Sequence, residues 1–164
     1  MSLNSKKPNN QQGFSLIEVI IAIFVITIGI VAVVNLVSSA IGSVAISESQ
    51  VIATNLCQEG LEVVRNIRDS NWKIGESWNN GLSSGDYRIE YNSNNLLSIS
   101  GNPALKLDSN GYYQYSNGSD TLFHRKITIN NINDHELDAI SEISWSQRGK
   151  SFDVTAKIKL YDWR

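Results

Sequence analysis

From Phe14 to Val37 the chain is almost wholly apolar, and after Glu18 no Asp, Glu, Lys or Arg occurs until Glu48. At about 1.5 Å per residue, a helix of this length crosses the roughly 30 Å hydrocarbon core of a bilayer. Lys6 and Lys7 precede the run, and the first charge beyond it is acidic. The positive-inside bias therefore predicts a cytoplasmic N-terminus with the bulk of the chain outside. An ordinary secretory signal is cut after its apolar region, which is then lost. No small-residue site of the A-x-A kind follows Val37, so the apolar run is expected to stay with the protein. One residue sits badly in this picture. Glu18 is a carboxylate near the membrane edge, where burial costs several kcal/mol unless the charge is paired or neutralised.

The residues around that acid, GFSLIEV from Gly13 to Val19, resemble the class III signal of type IV prepilins and of the pseudopilins of type II secretion. The pattern in that family is a short polar leader ending in glycine, then a phenylalanine, then glutamate as the fifth mature residue. Gly13, Phe14 and Glu18 match it position by position. The resemblance implies that a prepilin peptidase cuts between Gly13 and Phe14 on the cytoplasmic side and methylates the new amino group of Phe14. It implies further that the apolar helix is retained as a filament core. A buried carboxylate is tolerated when a cation is brought to it, and cleavage creates such a cation at Phe14. In the family's usual account, the glutamate of an incoming subunit pairs with the N-terminal amine of a neighbour. Glu18 is thus expected to serve assembly rather than catalysis.

Beyond the span, apolar residues continue at helical spacing through Ile52, Leu56, Val63 and Ile67, with Ala53, Gly60 and Val64 beside them. Gln58, Glu59, Glu62, Arg65, Arg68 and Asp69 supply the polar side, with Glu62 placed to meet Arg65. A helix from Phe14 to about Ser70 would be roughly 85 Å long. No proline falls between Pro8 and Pro103, which leaves Gly29 and Gly42 as the soft points of that helix.

After Asn71 the composition turns to Asn, Ser and Gly, as in SWNNGLSSGD, Ser77 to Asp86, which reads as a loop. Tyr87, Ile89 and Tyr91 then alternate with Arg88, Glu90 and Asn92 at the period of a half-buried strand. Leu96 to Ile99 and Tyr112 to Tyr115 are shorter candidates. Phe123, Ile127 and Ile129 alternate with His124, Lys126, Thr128 and Asn130. Ile143 and Trp145 are separated by a QRGK turn from Phe152, Val154, Ala156, Ile158 and Leu160, and Gly149 is expected at positive φ in that hairpin. The result is an antiparallel sheet with one apolar face, for which the helix stripe through Leu56 and Val63 is the available cover.

The segment ATNLCQEGLEVVRNIRDSNW and the C-terminal ISWSQRG with FDVTAKIKLYDW resemble the minor pilins of the PilV type, the type IV pilus modification proteins. Ala53, Leu56, Gln58, Glu59, Arg65, Trp145, Gly149 and Trp163 fit that outline. Trp145 and Trp163 are read as core or edge packing.

The formal net charge of the 164-residue chain is −2, and losing Lys6 and Lys7 with an acid-free leader takes it to −4. That balance does not suit a general nucleic-acid binder. Cys57 is the single cysteine, so no intramolecular disulfide forms, unlike many major pilins, and it is expected as a small buried helix residue. His124 and His135 lack partners at metal-ligand spacing. No G-x-S-x-G, P-loop or G-x-G-x-x-G is present. Asp108, Asn110 and the turn from Asn117 to Asp120 offer oxygens, but lack the closing bidentate acid of an EF-hand loop, so turn chemistry is expected there rather than calcium. No enzyme activity, cofactor or metal is expected.

The expected architecture is α+β and pilin-like. Residues 1–13 form the leader, 14–37 the transmembrane and filament-core helix, 38–70 its amphipathic continuation and 71–164 the sheet domain. The expected function is that of a minor structural subunit of a type IV pilus or pilus-like filament. Its expected partners are prepilin peptidase, other pilin or pseudopilin subunits, an inner-membrane assembly platform and, before assembly, membrane lipid. It would lie first in the cytoplasmic membrane, as a single span, and then in a filament at the cell surface. Two alternatives stay open: a minor pseudopilin of type II secretion, and a pilus-tip module binding surfaces or DNA through Tyr112, Tyr113, Tyr115 and Lys106.

Overall fold

The computed structural model describes residues 13 and 15–163, and it begins with one helix, α1, Leu16–Ile74. The carbonyl of Ser15 accepts from the Glu18 and Val19 amides at 3.0 and 3.3 Å, so Ser15 stands at the N-cap. Ser15 and Glu18 also have the S-x-x-E spacing of a capping box. The helix passes through Gly29 and Gly42 without a break. It runs four residues further than the expected end at Ser70. Gly75 stops it, at φ 79°, where the Glu76 amide reaches back to the Asn71 carbonyl (2.9 Å) and the Gly75 amide to Trp72 (3.3 Å). This pair of bonds is the Schellman closure, which needs a residue at ease in the left-handed region.

Seven strands follow: β1 Gly85–Arg88, β2 Leu97–Ser98, β3 Ala104–Leu107, β4 Tyr113–Gln114, β5 Ser119–Asn133, β6 Glu136–Gln147 and β7 Lys150–Tyr161. All pairings are antiparallel. On one side of β5, its later half pairs with β1 and its earlier half with β3. On the other side lies β6, and β7 pairs with β6 alone. The β6–β7 turn has Arg148 at φ 54° and Gly149 at φ 72°. Two successive positive φ values make it type I′, which matches the twist of its flanking strands.

Two expectations fail in detail. The strand through Tyr87, Ile89 and Tyr91 ends at Arg88, because Ile89 is pulled into the core and Glu90 folds into a turn. There the Glu90 amide binds Ser93 Oγ (2.9 Å), and its carboxylate accepts from the Tyr115 amide (2.9 Å). Strand β3, with Leu105 fully buried, has no mark in the sequence, since four residues flanked by Pro103 and Asp108 show no clear period.

The chain divides into two units, one up to Val44 and one from Ala45 onward. In the second, residues 53–71 of α1 lie on the sheet. Two apolar clusters form there. Leu61, Val64 and Ile67 pack with Ile127, Ile129 and Leu137, while Ala53, Leu56 and Cys57 pack with Leu105, Phe123, Ile143 and Trp145. Gly60 sits at the closest approach. A Cβ there would lie 2.9 Å from Ile127 Cδ1 and 3.0 Å from Ser141 Oγ, so the glycine lets the helix backbone settle on the strands.

Candidate functional site

The first unit carries the residues singled out by the sequence. Glu18 lies in the first turn of α1, where the partial positive charge of the helix N-terminus favours a carboxylate. It is exposed, and its side chain has no hydrogen bond or ion pair among the described residues. Gly13 precedes the helix, is exposed, and has open space where a Cβ would be. Among the described residues, its surroundings give no reason for glycine. Phe14 and the rest of the leader, residues 1–12, lie outside the described residues.

From Leu16 to Val37, sixteen large apolar side chains are each 47% or more exposed. The most apolar stretch of α1 has a mean hydropathy of 3.0, and none of it is buried. At about 1.5–3 kcal/mol per side chain, moving such a surface from water into lipid or against other helices releases on the order of 25–45 kcal/mol. That far outweighs the few kcal/mol charged by one carboxylate near the membrane edge. The arrangement is an adhesive apolar rod with a single acid near its start, and its chemistry is association.

The second unit holds a polar centre that the sequence reading missed. Phe123, Arg125, Ile127 and Ile129 share the inner face of β5, and Arg125 is 0% exposed. Its guanidinium donates from Nη2 to Glu59 Oε1 at 2.7 Å and from Nη1 to the Ile89 carbonyl at 3.2 Å. The signal was present: strand parity puts residue 125 among apolar neighbours, and a buried cation requires an acid. Nearby, Tyr115 donates its hydroxyl to the Arg125 carbonyl (3.3 Å). Burial pushes the Tyr115 hydroxyl pKa up against the opposing pull of Arg125 and Arg88, and burial together with Glu59 raises that of Tyr113.

The other candidates have structural employment. Cys57 is fully buried and its Sγ lies 2.9 Å from the Ser141 carbonyl. Glu62 pairs with Arg65. Asp108 Oδ1 accepts from the Asn110 and Tyr112 amides at 2.8 and 2.9 Å, and its Oδ2 from Gln114 at 3.2 Å, which makes it a turn residue. Gly118 is at φ 117°, and a Cβ there would fall 2.3 Å from the Leu107 carbonyl oxygen. The tyrosines do not form one platform. Tyr112 stacks on Tyr91 at 4.5 Å, Tyr113 meets the Phe123 ring edge-on at 6.2 Å, and Tyr115 packs beside the second cluster. Lys106 lies 3.9 Å from Asp120. Trp145 is core, while Trp163 is 67% exposed and meets Trp72 edge-on at 4.6 Å. His135 occupies the β5–β6 turn, 3.7 Å from Asp162.

One long apolar N-terminal helix and an antiparallel sheet covered by its later half define a pilin-like α+β protein. Residues 8–34 match the family model for the prokaryotic N-terminal methylation motif. That match supports a protein of the type IV prepilin and pseudopilin family. No curated protein and no solved structure matches the chain. Motif and fold indicate a structural protein rather than an enzyme. The motif implies processing by prepilin peptidase and assembly with other pilins, and with the apolar helix it suggests anchoring in a membrane.

Proposed function

We propose that the protein is a minor subunit of a type IV pilus or pilus-like filament. Residues 1–13 are its leader, 14–37 the span and filament core, 38–70 the amphipathic continuation and 71–164 the sheet domain. Cleavage falls between Gly13 and Phe14, and the Phe14 amine is methylated. The subunit waits in the cytoplasmic membrane with its N-terminus inside, then moves through the inner-membrane assembly platform into a filament outside the cell. The observation that carries this reading is Glu18, the one charge between Phe14 and Val37, in the exposed apolar stretch of the helix. An unpaired carboxylate in lipid is costly, and a neighbour's new N-terminal amine relieves that cost only on assembly. The single cysteine favours a minor over a major subunit.

The test is the intact mass and N-terminal sequence of the protein from cells with and without prepilin peptidase. A product beginning at methylated Phe14, made only with the peptidase, is expected, and Glu18→Ala should then be processed but depleted from filaments. An unprocessed chain would overturn the assignment. Loss of piliation on deleting the protein separates a pilus subunit from a type II pseudopilin, whose loss blocks export of folded enzymes.

A further inference from the structure

Strands β5 and β6 part company at one end of the sheet. Their ladder stops at the pair His124 and Ser144, although β5 begins at Ser119 and β6 runs on to Gln147. Each strand stays paired on its far side, β5 to β3 and β6 to β7. A cleft of about 380 Å³ opens at the divergence, toward the small end of the roughly 300–1,000 Å³ typical of small-ligand sites.

The lining of this cleft is specific in kind. His124, Ser144, Ser146 and Ser151 supply polar groups. His124 Nδ1 lies 2.8 Å from the Asn102 carbonyl oxygen, a contact that only a protonated Nδ1 satisfies. The neutral ring therefore presents Nε2 as an acceptor. The Ser146 and Ser151 hydroxyls are 3.3 Å apart and form a donor and acceptor pair. Leu122 supplies apolar surface on the face that carries His124, Ser144 and Ser146, and the Trp145 and Phe152 rings, stacked at 5.4 Å and 19°, back the cleft from the core side. Trp145 is 3% exposed, and its indole N–H has no acceptor among the described residues, which leaves a buried donor to be satisfied. Among the described residues, no Asp, Glu, Lys or Arg lines the cleft.

We infer that this cleft binds a neutral, hydroxyl-rich ring, a hexose unit standing free or at the end of a glycan. The lack of lining charge disfavours phosphate, carboxylate and cationic ligands. Hydroxyls and an imidazole acceptor at the rim, with Leu122 beside them and buried aromatic rings behind, match a pyranose, which has a polar rim and an apolar C–H face. This goes beyond the filament role and does not depend on it.

The experiment is an NMR titration of the intact chain in a detergent without a sugar headgroup. It follows the Trp145 indole and His124 ring signals. The probes are glucose, galactose, mannose and N-acetylglucosamine, with inorganic phosphate as the charged control. At least one sugar should shift both signals saturably with a Kd on the order of 1 mM. Ser144→Ala should weaken binding about tenfold, and Ser144→Leu, which fills the cleft, should abolish it while near-UV circular dichroism stays unchanged. A glycan array with the same protein separates the two sources, because a terminal-glycan ligand binds there more tightly than its free sugar. Absence of any shift up to about 100 mM sugar, a hundredfold above that Kd, would overturn the inference. So would binding undiminished in Ser144→Leu, or phosphate shifting both signals as strongly as sugar.

Discussion

Replacing Glu59 by leucine should strip its partner from a cation that has no water to turn to. Arg125 is 0% exposed, whereas the Glu59 side chain is 35% exposed, so the two halves of this pair are unequal. Glu59→Leu leaves a buried guanidinium held only by the Ile89 carbonyl, an uncompensated charge that costs about 3–5 kcal/mol. Arg125→Met keeps most of the apolar stem volume and leaves a carboxylate that swings to solvent, so its cost is about 1–3 kcal/mol. The double variant removes both charges and should fall within about 1 kcal/mol of the wild type or exceed it. The coupling energy is then at least ~3 kcal/mol. Urea unfolding of the intact chain in micelles, followed by near-UV circular dichroism, measures all three. At roughly 4 °C per kcal/mol for a domain of this size, Glu59→Leu should also lose about 12–20 °C in Tm. A Glu59→Leu cost below about 1 kcal/mol, or single effects that simply add in the double variant, would refute the reasoning.

Gly60→Ala gains about 1 kcal/mol of helix propensity but drives a methyl against Ile127 and Ser141 at about 1–3 kcal/mol. A net loss near 1 kcal/mol is expected by urea titration, growing sharply for Gly60→Val. Gly118→Ala meets the Leu107 backbone in an unfavourable φ region and should cost about 2 kcal/mol or more, visible as faster amide exchange in β3 and β4. The Lys157 hydrogen bond holds the Asp138 carboxyl pKa below its usual value, against the opposing effect of burial. A lowered pKa means the stabilisation is present above the unfolded value, about 3.9, and is lost as pH falls through the lower folded value. Asp138→Asn should therefore weaken the domain at neutral pH and flatten its acid unfolding curve, which thermal melts from pH 7 to 2 would show.

The long elements were legible because their periods were clean. The apolar run with one acid announced α1, the alternation from Phe123 to Ile129 announced β5, and QRGK announced the last hairpin. The stripe through Leu56, Val63 and Ile67 found its true role, since all three are buried. What escaped was short or nonlocal. β3 is only four residues long, and it exists because β5 offers an edge to pair with, not because its own residues insist. Arg125 escaped for a related reason. Its place depends on Glu59, sixty-six positions earlier, and no local pattern joins them. Of the N-terminal triplet, Glu18 and Gly13 were read from spacing and resemblance alone, because both are exposed and no contact among the described residues marks them.

The same helix seating gives the lone thiol a use as a clock. Cys57 stands on the side of α1 turned to the sheet and is 0% exposed, with the Ser141 and Val154 carbonyls facing its sulfur. An alkylating reagent reaches it only when the helix lifts from the strands. When that opening is fast and reversible, the ratio of the observed labelling rate to that of an unfolded cysteine equals the fraction of time the helix stands open. A filament that clamps the helix would slow labelling, and one that loosens it would hasten labelling, so a single native atom reports on the subunit's internal fastening in living cells.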